Sequence, residues 1–172
     1  MGSSRDIESA FREFSFVASQ FCAVVESAPS LGRVELLSRI YEILPQLIHQ
    51  GIVLPAVSPS DLDDREEIKR TRVKQEEWGQ LYESLKEKLG DWNLYWQVFD
   101  PTKDSEAIHG SLADDIADIY RDIKEGLGVQ DPGLALQRDA VWSWRFGYYS
   151  HWGHHAINAL FTAYALLEST LS

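Results

Sequence analysis

The sequence predicts an all-α fold, an antiparallel helical bundle of four long helices plus short accessory helices. Apolar residues recur at helical spacing through almost the whole chain, no alternating strand pattern bounded by hairpin turns stands out, and Pro and Gly fall at the ends of the periodic segments. Ile7, Phe11, Phe14, Ala18, Phe21 and Val25 step by 4, 3, 4, 3 and 4, one stripe down a helix of about six turns that Pro29 stops. Over 31–52 a second stripe holds Val34, Leu37, Tyr41, Leu44 and Ile48. Gly51 stands where that helix would end, and Pro45, which has no N–H and crowds the Tyr41 carbonyl, predicts a kink or break. Residues 55–64, rich in Pro, Ser and Asp, read as loop. Residues 65–77 read as a charged linker or exposed helix start, because 61–77 carry seven acids and five bases against three large aliphatic side chains. Trp78, Leu81, Tyr82, Leu85 and Leu89 then resume a stripe that Gly90 closes. The aromatic run 91–101 predicts a short helix or turn whose Trp92, Tyr95, Trp96 and Phe99 plug one end of the bundle. Ser111 with Asp114 has the shape of a capping box and opens a helix along Leu112, Ile116, Ile119, Ile123 and Leu127. Pro132 suits the first turn of the last helix, which runs to Glu168 if unbroken, roughly 50 Å at 1.5 Å per residue, and serves as the central post.

With 172 residues the chain is read as one domain, 1–172, long enough to bury roughly 70% of its unfolded surface. Sixteen basic against 27 acidic residues leave a formal charge of −11, a field that repels phosphate backbones and anionic lipid, so neither nucleic acid nor membrane is expected as a partner. A single Cys, Cys22, excludes an intrachain disulfide and fits a reducing, cytoplasmic setting; on an apolar helix with no adjacent base it reads as inert. No secretory leader is expected from the polar first eight residues. The stretch 140–167 has apolar runs far shorter than a bilayer needs and reads as a buried helix.

Projecting the last helix at 100° per residue separates two faces. One holds Trp142, Phe146, Tyr149, Ala156, Leu160, Tyr164 and Leu167, an ordinary core stripe. The other holds Trp144, Tyr148, His151, His155, Asn158 and Thr162, with His154 on its flank; it is polar yet uncharged, which points to enclosure by other helices or by a ligand. His151, His154 and His155 have a spacing that lets two imidazoles chelate a divalent metal within one helical turn. Asp115, Asp118 and Asp122 form an acidic strip at i, i+3 and i+7 that could complete a mixed nitrogen and oxygen site. The bland alternative is a buried polar network that fixes helix register, with Asp118 paired to Arg121 or Lys124 on the surface. Arg145, the one formal charge in the middle of that helix, is expected to meet Asp115 or Asp122.

The blocks WQVFDP at 96–101, GSLADDIADIYRDIKEGL at 110–127, and WSWRF at 142–146 with HWGHH at 151–155 resemble a bacterial helical domain family of unknown function. The likeness runs from Phe11 to about Leu166; it implies an all-helical fold, makes the Asp and His strips features of the family, and carries over no activity. The leading expectation is a non-catalytic module with no resident cofactor that binds a protein partner or small ligand through Trp144, Arg145, Tyr148, His151, His155, Asn158, Asp115 and Asp122. The alternative is a divalent-metal hydrolase with His151, His155 and His154 as ligands, Asp115, Asp118 or Asp122 completing the shell or acting as base, and Arg145 steadying an anionic substrate. A third is a subunit that homodimerises through the aromatic face.

Overall fold

The computed structural model describes residues 4–59 and 65–171. Helix α1 (Ser4–Glu26) is followed by α2 (Arg33–Val53), the short α3 (Arg65–Arg70), α4 (Gln75–Leu89), strands β1 (Leu94–Gln97) and β2 (Ile108–Ser111), α5 (Leu112–Lys124), α6 (Leu134–Gly147), a π-helical turn (Tyr148–Trp152) and α7 (Gly153–Leu171). The fold is largely helical, as the periodicity predicts. Ile7, Phe14, Ala18, Phe21 and Val25 of the first stripe are buried, as are Leu36, Leu37, Ile40, Leu44 and Leu47 of α2, and α1 packs on both α2 and α6. Gly90, at φ +56°, ends α4 as expected.

Four expectations are corrected. Pro45 does not break α2, which continues to Val53; only the Tyr41 carbonyl loses its donor, and the buried face on either side holds the helix together. Gly51 lies inside α2 rather than at its end, and its role is close approach: a Cβ there would sit 2.7 Å from the Trp152 ring. The run 91–101 is not a helical plug but the first arm of an antiparallel hairpin in register Leu94↔Ser111 to Gln97↔Ile108. Each arm has four residues and the two are far apart in sequence, so the alternation was too brief to register as a strand. Trp96 and Phe99 are 67% and 62% exposed, while Tyr95 and Trp92 are half-buried. Of the charged segment, 65–70 and 75–77 are helical and Ile68 is buried; of the loop 55–64, residues 60–64 lie outside the described residues.

The fourth correction bears on the site. The last helix is one helical run, but its middle is a π turn, which holds one residue more than an α turn. A single 100° projection therefore fails across it. The buried residues are Ala140, Val141 and Trp144 before the turn and Ala156, Ala159 and Ala163 after it. Phe146, Tyr149 and Tyr164, assigned to the core stripe, are 60%, 64% and 48% exposed. No described helix is long and apolar enough to cross a membrane.

Candidate functional site

Helix α5 starts at the hairpin. Ser111 ends β2 and caps α5, accepting from the Asp114 N–H at 3.3 Å, while the buried Asn93 accepts the Ala113 N–H at 2.8 Å through its side chain and the Leu112 N–H at 2.8 Å through its carbonyl. Leu112, Ile116, Ile119 and Ile123 bury one side of α5, and Asp115 and Asp118, one and two turns along its neighbouring edge, are only 3% and 7% exposed. The π turn and α7 run alongside in the opposite sense, so that His151 meets Asp122 and His155 meets Asp115.

The two imidazoles are held alike. His151 Nδ1 lies 2.7 Å from Asp122 Oδ2, and His155 Nδ1 lies 2.7 Å from Asp115 Oδ1. Each Nδ1 donating to its carboxylate leaves Nε2 as the lone pair of the neutral ring. Both Nε2 atoms turn to one oxygen, Asp118 Oδ2, at 3.7 Å from His151 and 3.5 Å from His155. The other Asp118 oxygen accepts from Arg121 Nη2 at 2.7 Å, and the second Asp115 oxygen accepts from the Tyr95 hydroxyl at 2.6 Å. Arg72 approaches Asp122 Oδ1 at 3.6 Å and Glu125 at 3.5 Å.

Burial opposes charge on His155, but the hydrogen bond to Asp115 and the charges of Asp115, Asp118 and Asp114 outweigh it and raise its pKa above the ordinary 6.5. Burial and the nearby Asp118 raise the Asp114 carboxyl above its usual range. Burial and the charge of Asp115 raise the Tyr95 phenol, which keeps it a hydrogen-bond donor. A cleft of about 420 Å³ between the hairpin and the helical run reaches His151, His155, Asp114 and Asp115 and has Phe99 and Ile108 on its wall. A second, also about 420 Å³, reaches His151 from the side of Arg72 and Arg121.

Of the sequence-derived site residues, the structure therefore gathers Asp115, Asp118, Asp122, His151 and His155, places His154 on the wall of the same hairpin cleft, and takes Trp144, Tyr148 and Arg145 elsewhere. His154 turns to the hairpin, with Nε2 at 2.9 Å from Asn158 Nδ2 and its ring 5.3 Å from Phe99; Asn158 in turn donates to Gln97. Trp144 is fully buried in the apolar core, stacked on Phe11 and Phe14, with its indole N–H shared between the Ile123 and Glu125 carbonyls. Tyr148 packs edge-on against Trp152 beside Gly51. Arg145 does not meet Asp115 or Asp122. It donates to the Leu54 carbonyl at 2.7 Å and lies over the Tyr149 ring, so the negative end of α2 takes the place of a carboxylate. Asp118 does pair with Arg121, though in a buried setting rather than on the surface. Tyr95, Asn93 and Trp152 were missed, because nothing in their local spacing ties them to residues 20, 20 and 8 positions away. Cys22 is buried, which pushes its thiol up to about 12 and leaves it a poor nucleophile.

The chain matches the model of a domain of unknown function, DUF5063, over residues 5–167, and it belongs to that family. It is similar to the crystal structure of protein BF1032 from Bacteroides fragilis, with a TM-score of 0.76 and 26% identity, over 90% of this chain and 89% of that one. No curated protein matches it.

Proposed function

We propose that this member of the DUF5063 family binds a divalent transition-metal ion through Asp118 Oδ2, His151 Nε2 and His155 Nε2. The carrying observation is the shared orientation of the two rings: each Nδ1 is held by its own carboxylate, and each Nε2 faces the same third oxygen. Carboxylates that grip Nδ1 are the usual outer supports of metal-binding histidines. The Nε2 to Oδ2 separations of 3.5 and 3.7 Å are long for hydrogen bonds, yet close to the edge of a tetrahedral coordination shell, about 3.4 Å for bond lengths near 2.05 Å. Asp118, His151 and His155 each offer one ligand atom, and these atoms lie within 4.8 Å of one another.

Three protein ligands leave a position open, the pattern of metal sites that bind a substrate rather than merely staple a fold. An ion there supplies a Lewis acid for a ligand oxygen, which suits a hydrolytic reaction on a small molecule admitted through the hairpin cleft. Arg121 holds Asp118 in place, Tyr95 holds Asp115, and the apolar wall of Phe99 and Ile108 accommodates the remainder of the ligand. Arg145, engaged with Leu54, has no part in this site.

The test is metal content. Apoprotein incubated with zinc or cobalt and passed through a desalting column should retain one ion per chain by elemental analysis, and the His151→Ala, His155→Ala double variant should retain none. Protein that emerges metal-free, with a melting temperature unmoved by either ion, overturns the reading and leaves a small-ligand module in which the His and Asp groups only fix helix register.

A further inference from the structure

The π turn at Tyr148–Trp152 is unusually well locked. Counted at roughly 100° per residue, Ala156, Ala159 and Ala163 would lie about 90° round the helix from Ala140, Val141 and Trp144. Yet all six are buried in the same core. One residue absorbed into the wider turn brings the two halves into line. Two side chains add hydrogen bonds to the backbone carbonyls that precede and enter this turn. The Trp152 indole N–H donates to the Trp144 carbonyl at 3.0 Å, and the Ser150 hydroxyl donates to the Phe146 carbonyl at 2.7 Å. Trp152 is itself fully buried and meets Phe14 and Tyr148 edge-on. Gly153 completes the lock, since a Cβ on it would collide with the Tyr148 carbonyl oxygen and ring.

His151 lies within this turn and His155 is the third residue of α7, one turn later. The rotation that returns the alanines of α7 to the core is therefore the rotation that swings both imidazoles over α5. We propose that Trp152 and Gly153 are positioning residues, which hold the π turn and thereby set His151 and His155 on Asp122, Asp115 and Asp118. The claim rests on the metal reading only for its consequence in binding; the ring geometry stands by itself. Neither residue touches the ion position. Trp152→Phe keeps a ring in the core and removes the donor to Trp144, and Gly153→Ala adds the one methyl group that the turn has no room for.

The experiment follows the imidazole Nδ1–H protons of the metal-free protein by NMR, together with cobalt titration monitored by its visible absorption. In the wild-type chain both rings should give hydrogen-bonded Nδ1–H signals protected from solvent. In Trp152→Phe or Gly153→Ala, with a cooperative melt retained, the His151 signal should be lost first and the His155 signal weakened, and cobalt should bind at least tenfold more weakly with an altered spectrum. Unchanged ring signals in either folded variant overturn the proposal. Should the wild-type chain bind no cobalt, the metal reading falls, and the Nδ1–H signals alone decide the positioning role. A variant that fails to fold leaves the decision to the other.

Discussion

The two sides of the C-terminal helical run reach stability by different means. Toward α1 and α2 it presents Trp144, Trp152, Ala156, Ala159 and Ala163, packed on Phe14 and around Gly51. Toward α5 it presents His151 and His155, which meet three aspartates of the same sign. The first side is held by area removed from water and by close packing, which leaves no room for a methyl group at Gly51. The second depends on hydrogen bonds that weaken steeply with distance and angle, and it concentrates negative charge that Arg121, Arg72 and the imidazoles help to offset. The apolar side therefore sets the depth and rotation of the helix, and the polar side uses that placement.

The contrast is broken most severely from the apolar side. Trp144→Ala removes two stacked aromatic contacts and a buried indole, and should cost about 3–5 kcal/mol in urea unfolding. If it costs no more than His151→Ala measured in the same way, the assignment of structural weight to the apolar side is wrong. On the polar side, Asp118→Asn removes the charged oxygen that both Nε2 atoms face, and zinc affinity should fall by more than the effect of any outer support. Asp115→Asn keeps the ligand atoms but loosens the His155 ring, and should weaken zinc by roughly 10–100-fold in a competition titration with a chromogenic chelator. Equal effects of the two substitutions would erase the distinction between ligand and support.

pH sharpens the same division. Because the folded pKa of His155 is raised, its charged pair with Asp115 stabilises the metal-free fold fully below the unfolded value near 6.5. That contribution is lost as pH rises through the higher folded value. Zinc competes with the same proton, so zinc affinity should climb over the interval in which the ion pair is lost. Denaturation of wild type and His155→Gln between pH 5 and pH 8 should show a gap that closes upward. A gap that opens with rising pH would contradict the sign. The smallest effect is expected from Asp114→Asn: burial and Asp118 already disfavour its charge, so the substitution should raise the melting temperature of the metal-free protein slightly at pH 8 and not at pH 4.

The helical class, the core face of α1, the start of α5, and the strip of Asp115, Asp118 and Asp122 were all legible in the sequence, because each is a local pattern repeated over several turns of one regular helix. The same arithmetic also paired His151 with His155. It failed where the regularity itself changes. A π turn is one residue of excess in a run that otherwise reads as α, so Phe146 and Tyr149 were assigned inward and Trp144 was grouped with the polar face. The hairpin was hidden for a related reason, as its two four-residue arms are specified by each other and by Asn93 at the α5 cap rather than by their own spacing.

By itself, then, the amino-acid order determined which side chains share a helix and how they are spaced along it. Whether His151 and His155 face Asp118, whether Arg145 meets a carboxylate or the end of α2, and whether His154 joins the site or the hairpin were decided only by tertiary structure. The reason is that rotation of one helix against another is set by the packing of the whole buried surface, here through Gly51, Trp152 and Gly153, and no local repeat encodes it.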